Sequence, residues 1–205
     1  MTPTGLPRYT GDARPYAGGD PYADYRTPGP AGFPFTHLPD LADRRLGAAV
    51  LAANDEFFAE RENLLRPGPA RFDPEAFGHR GKIMDGWETR RRRGSGNDWV
   101  RYRLTEQAVI RAVEIDTSGF QGNSPGWAAL CGRDGEHGDW TCLLPRTRLQ
   151  PDTVHRFLLP AGAPPVTHVR IDIFPDGGIA RLRLHGSLTE EGARRLAARH
   201  DELNG

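Results

Sequence analysis

The strongest constraint in this chain is a period-two alternation of apolar and charged residues, repeated in its second half. It occurs in Trp99-Val-Arg-Tyr-Arg-Leu104, Ile110-Arg-Ala-Val-Glu-Ile115, Val169-Arg-Ile-Asp-Ile-Phe174 and Ile179-Ala-Arg-Leu-Arg-Leu184. Successive side chains of a strand point to opposite faces. This pattern therefore buries one face and wets the other, as antiparallel sheets require. Ala48 to Ala53, Trp127 to Cys131 and Val154 to Leu159 are shorter candidates. Turn-forming stretches separate the strands at Gly132 to Gly138, Pro160 to Pro165 and Pro175 to Gly178. Short strands spaced by such turns predict an all-β fold, a β-sandwich.

The remaining segments are less regular. Residues 1–34 are rich in Gly, Pro, Tyr and Asp and poor in aliphatic side chains. They cannot bury enough surface to offset the entropy of ordering, so a flexible arm is expected. Asp40 to Gly47 reads as a turn-rich lead-in. Asp55 to Leu65 reads as a helical turn or a loop, ended by Pro67 and Pro69. The one convincing helix is C-terminal, with Thr189 as N-cap and Glu190 and Glu191 in its first turn. Gly192 should weaken it, and Leu188, Leu196 and Ala197 offer only a small apolar stripe. The expected division is an arm over 1–34, a β domain over 35–187 and a helix over 188–205.

Composition narrows the partners. The 27 basic and 27 acidic residues cancel, which argues against a general nucleic-acid or membrane-surface role. No apolar run approaches the length of a membrane span, and the first twenty residues have none. Cys131 and Cys142 are too few for a secreted disulfide framework, so a cytoplasmic protein with reduced thiols is expected. The seven His lack zinc-ligand spacing. There is no phosphate loop, dinucleotide fingerprint or Ser or Cys nucleophile motif, and neither metal nor cofactor is expected.

Three Gly-punctuated, charged segments follow no structural period. They are Lys82-Ile-Met-Asp-Gly-Trp-Glu-Thr-Arg-Arg-Arg-Arg93, continued by Asn97-Asp-Trp99; Asp116-Thr-Ser-Gly-Phe-Gln-Gly-Asn123; and Phe174-Pro-Asp-Gly-Gly-Ile-Ala-Arg181. Their charges must be met by each other, by water or by a ligand. Asp85 and Glu88 are candidate acid and base, although an Asp–Arg or Glu–Arg pair is more often a structural bridge than a catalytic pair. Asp116 and Asn123 either bind a ligand or close Asx turns on their own backbone. Asp176-Gly177-Gly178 has the composition of a tight hairpin connection. Trp87 and Trp99 read as core aromatics.

Together these segments resemble the signature of the allantoicase family, over a stretch from about Phe35 to Gly186. The family hydrolyses allantoate to ureidoglycolate and urea, and is built from two tandem jelly-roll domains of the galactose-binding type. Only one copy is found here. Its first part, Leu38 to Arg93, is similar to the leading repeat, and the part after Gly96 is similar to the trailing repeat. Loss of the sequence between two near-identical Met-Asp-Gly-Trp-Glu-Thr-Arg segments would produce that arrangement.

The resemblance implies roles. Urea leaves poorly, so its nitrogen needs a general acid, and the attacking water needs a base. Asp85, Glu88 and Asp116 are the implied catalytic carboxylates. Arg90, Arg92, Asn123, Arg146 and Arg181 are the implied substrate-binding residues, since an Arg fork suits the substrate carboxylate. A chain with one repeat is expected to form a homo-oligomer. The alternatives are a non-catalytic small-ligand-binding jelly-roll and a degenerate remnant of the enzyme.

Overall fold

The computed structural model of the chain describes Arg8–Tyr9, Phe35 and residues 37–204. The strands are β1 (Arg8–Tyr9), β2 (Ala49–Ala53), β3 (Phe77–Gly78), β4 (Gly81–Lys82), β5 (Trp87–Glu88), β6 (Asp98–Asp116), β7 (Trp127–Arg133), β8 (Thr141–Arg148), β9 (Val154–Leu158), β10 (Val166–Phe174), β11 (Gly178–Ile179) and β12 (Arg181–Leu188). One α-helix, α1 (Glu190–Asn204), follows. The expected arm over 1–34 lies outside the described residues, except that Arg8–Tyr9 pairs antiparallel with β9.

The centre of the fold is β6. At 19 residues it is far longer than an ordinary strand. The two alternating segments expected as separate strands, Trp99 to Leu104 and Ile110 to Ile115, are its two halves. The first half pairs with β2 on one side and β10 on the other. The second half pairs with β12 and β9. The alternation slips phase at Leu104 and Thr105, which are consecutive and both buried. There the strand folds from one sheet of the sandwich into the other. The eight strands are continuous through β6, which runs through both layers: β2-β6-β10-β7-β8 in the first sheet and β12-β6-β9-β1 in the second, all antiparallel. A register shift between His185 and Gly186 turns Ala112 to the outside, where Phe35 and Leu38 cover it.

The core fills the space between the sheets. Val100, Tyr102, Leu104, Ile110, Val113 and Ile115 from β6 meet Leu130, Leu144, Phe157, Ile171 and Leu182 there. Trp87 is fully buried in it and donates its indole N–H to the Asp55 carbonyl at 2.7 Å. Trp99 is instead half-exposed on the outer face, with the Arg101 and Arg170 guanidiniums about 5 Å from its ring.

Helix α1 caps the end of the sandwich where β6 bends. Thr189 accepts from the Gly192 amide at 3.0 Å, as an N-cap should, and also bonds the Gln107 side chain at 2.8 Å. Gly192 is required rather than merely tolerated: a Cβ there would lie 2.2 Å from the Gln107 carbonyl oxygen. No helix among the described residues is long and apolar enough to cross a membrane.

Candidate active site

The opposite end of the sandwich gathers the irregular, charged segments. Both ends of β6 arrive at the stretch 174–181. Asp98 pairs with Ile173, and Asp116 pairs with Arg181. The 84–97, 116–126 and 174–181 stretches therefore share one end, as their loop character requires. Gly177 stitches two of them. It has φ +133, and a Cβ would sit 2.5 Å from the Asn123 carbonyl oxygen. Neighbouring bonds run from the Gly178 amide to Asn123 O at 2.8 Å and from the Ala180 amide to Asp116 O at 2.7 Å.

Strand β5 pairs with β11, placing Glu88 opposite Gly178 and beside this seam. Glu88 is 8% exposed. Its carboxylate accepts from the Asn123 side-chain amide at 2.5 Å. Burial raises its pKa, offset in part by that hydrogen bond. It makes no ion pair among the described residues. Both side chains line a cleft of about 280 Å³, shared with Arg80, Lys82, Gln121, Phe58 and Phe72. That volume suits a small metabolite more than a drug-sized molecule.

The cleft's cations come from the small hairpin of β3 and β4. The Arg80 guanidinium donates to the Phe57 carbonyl at 2.5 Å. The Lys82 ammonium lies 4.2 Å from the Phe72 ring centroid. Lys82 stands inside the expected motif, but Arg80, Phe58 and Phe72 are not among the expected site residues. The available signal was Gly78-His-Arg-Gly81, two residues between glycines, with Gly81 at φ +110.

The other expected residues are held by their neighbours. Asp85 accepts from the Arg181 guanidinium at 2.6 Å, the Arg71 amide at 2.9 Å and the Arg66 guanidinium at 3.1 Å. Burial pushes its pKa up, but Arg181, the Arg71 amide and Arg66 outweigh that and hold it below the usual range. Arg181 is 3% exposed, and it also donates to the carbonyls of Asp85, Ala180 and Gly68. It ties the 66–71 loop to β12. Asp116 accepts from the Ser118 amide at 2.8 Å, which is the Asx turn. Burial raises its pKa, opposed by its bonds to Ser118.

The remaining arginines lie further along the rim. Arg90 bonds Asp55 at 2.8 Å and lies 5.2 Å from the Phe57 ring centroid. The Arg92 amide donates to Asp176 at 2.7 Å, and its guanidinium bonds the buried Asp98. Arg146 stacks over Phe174 at 4.3 Å and Trp127 at 5.3 Å on the outer face of β8. The structure thus joins Glu88 to Asn123 and Asp85 to Arg181, with Asp116 in register beside Arg181. Arg90, Arg92 and Arg146 do not line the cleft that holds Glu88. No group of three or more His, Cys, Asp or Glu among the described residues is placed to hold a metal.

A two-sheet sandwich with a polar cleft among the loops at one end is a jelly-roll module of the galactose-binding type. The C-terminal domain of a chitobiase from Bacteroides fragilis shares the fold, with a TM-score of 0.53 at 10% identity, covering 75% of this chain and 99% of that domain. The allantoicase repeat model matches residues 39–189, and the chain belongs to the allantoicase family. A probable allantoicase of Streptomyces coelicolor is 37% identical over 374 aligned positions, covering 98% of each chain. That alignment is longer than the 205 residues here, so part of the relative faces a gap. The crystal structure of allantoicase from Saccharomyces cerevisiae matches with a TM-score of 0.63 at 32% identity, covering 73% of this chain and 48% of that one. This chain thus spans about half the length of the solved enzyme.

Proposed function

We propose that this protein hydrolyses allantoate to ureidoglycolate and urea, a step of purine breakdown, in the cleft at Glu88 and Asn123. The observation that carries the assignment is a buried carboxyl group with a raised pKa and no ion pair among the described residues, facing a cleft with two cations at its wall. Arg80 and Lys82 attract the substrate carboxylate. Asn123 fixes the Glu88 carboxyl and offers its amide to a ureido group. Protonated Glu88 gives its proton to the nitrogen of the leaving urea as the C–N bond breaks. The resulting carboxylate takes a proton from the attacking water, whose oxygen bonds the carbon. One water is consumed, and Glu88 returns to its starting form. Asp85, Arg181 and Asp116 position the loops that carry these groups, and Arg90, Arg92 and Arg146 lie outside the first contact with substrate.

The reading extends to assembly and location. Phe58 and Phe72 line the cleft, and Phe57, Phe77 and Ile83 stand on the neighbouring loop and hairpin, all five exposed at 40% or more. Large apolar side chains grouped in this way mark an interaction surface. We infer that a second copy of the chain covers them and replaces the missing repeat, most simply about a two-fold axis. The long alignment gap fits a chain that joins the start of a leading repeat to the end of a trailing one. The cytoplasm is the matching compartment.

Urea release from allantoate by the purified full chain tests the proposal. Glu88→Gln should lower kcat by at least roughly 100-fold with little change in KM. Lys82→Ala and Arg80→Ala should mainly raise KM. Wild-type kcat in Glu88→Gln would remove Glu88 from the chemistry. Allantoate binding without urea release would favour the non-catalytic module.

A further inference from the structure

Cys131 and Cys142 are the only cysteines of the chain and stand eleven positions apart in sequence. The fold sets them directly opposite each other. In the antiparallel pair of β7 and β8, Cys131 and Cys142 are register partners. Facing residues of an antiparallel pair have Cα atoms about 4.5–5.5 Å apart. A disulfide accepts Cα separations of about 4.4–6.8 Å. Directly facing residues share one face of a sheet, and here it is the outer one: Cys142 is exposed, and Leu130, next to Cys131 in β7, is buried in the core.

The surroundings permit closure. β8 is an edge strand, paired on one side only. The register shifts between Leu130 and Cys131, where Leu143 is an extra residue in β8, and this bulge brings Cys142 opposite Cys131. Cys142 is exposed and Cys131 is half-buried. Burial pushes the Cys131 thiol up, and the nearby Cys142 pushes it further. Cys142 is therefore the accessible first nucleophile, and Cys131 the resolving thiol beside it.

We propose that Cys131 and Cys142 form a cross-strand dithiol site that closes reversibly to a disulfide by exchange with small-molecule disulfides. The Cys142 thiolate attacks one sulfur of the small disulfide and expels one thiolate. The Cys131 thiolate then attacks the Cys142 sulfur of the mixed disulfide and expels the second. Two protein thiols lose their protons, one protein S–S bond forms, and two small thiols are released. Thiol–disulfide exchange runs in both directions, so an excess of small thiol reopens the bond. The product staples β8, which carries Arg146 and Arg148, onto β7. This device is independent of the chemistry at Glu88.

The experiment treats the reduced full chain with oxidised glutathione and reads intact mass, with circular dichroism confirming the fold. The wild type should lose about 2 Da and hold no glutathione. Cys131→Ser and Cys142→Ala should each retain a glutathione adduct or the free thiol. Phenylarsine oxide, which bridges neighbouring thiols, should bind the reduced wild type at one equivalent and neither variant. The oxidised wild type should melt several degrees above its reduced form, with no such shift in either variant. A stable mixed disulfide on folded wild type, or two thiols still titrating after treatment, would overturn the proposal. So would equal arsenical binding by the variants.

Discussion

Glu88 and Asp116 are both buried carboxylates with raised pKa values, and their surroundings separate their uses. Asp116 is engaged by the backbone of its own turn, whereas Glu88 has one amide partner and an open cleft. From the sequence both stood as candidates, because burial and aim depend on how β5 meets β11. Arg181 was likewise legible as important but not as a strut. Its partners lie at Asp85 and Gly68, about a hundred residues earlier, where no local pattern points to them. Of the two cleft cations, Lys82 lies in the charged segment, whereas Arg80 sits in a two-residue turn with no periodicity to mark it.

A histidine outside the site makes stability depend on pH. His155 is buried, donates from Nδ1 to the Ile115 carbonyl and accepts at Nε2 from the Gln150 amide at 2.8 Å. Burial lowers its pKa from 6.5 to about 4. Below pH 6.5 the unfolded chain binds a proton that the folded chain refuses. Stability from this residue is therefore complete above pH 6.5 and falls as the pH drops toward 4. The loss should be on the order of 3 kcal/mol. Denaturant midpoints measured between pH 4 and 7 should slope upward with pH, and His155→Gln should flatten the slope even if it lowers every midpoint. Parallel slopes in the two proteins would exclude His155 as the cause.

At the scale of elements, alternation found most of the sheet. β2, β7, β9, β10 and β12 stand where the pattern placed them, within a few residues. β8 escaped notice because Pro145 lies inside it. An edge strand tolerates proline, since one row of its amides faces no partner, but that edge position is not visible locally. Thr105-Glu-Gln107 interrupts the apolar rhythm at the bend, so the pattern predicts two strands where the fold has one. The helix cap at Thr189 was legible, and the reason for Gly192 was not, because it depends on Gln107. Replacing Gly192 by Ala should raise intrinsic helix propensity by about 1 kcal/mol yet lower the melting temperature. The new methyl group meets a backbone oxygen, and overpacking costs about 1–3 kcal/mol. A higher melting temperature in Gly192→Ala would show that α1 can move off β6 without loss.

For the whole molecule, the expectation concerns association. If paired chains cover the phenylalanines around the cleft, light scattering should give a dimer or a higher even oligomer. Specific urea-releasing activity should then fall on dilution below the dissociation range. Phe77→Asp, on the most exposed ring of the group, should yield monomers that keep the folded spectrum. A wild-type monomer with undiminished specific activity would refute the assembly.

The long strand at the centre has a consequence for how the molecule comes apart. β6 is hydrogen-bonded on both sides in both sheets, so neither sheet can detach and leave the other a complete centre. The edges β1, β2, β8 and β12 can fray, but amides along β6 are shielded until the entire sandwich opens. Their exchange with solvent deuterium therefore reads the global free energy of unfolding, and the two layers share one fate.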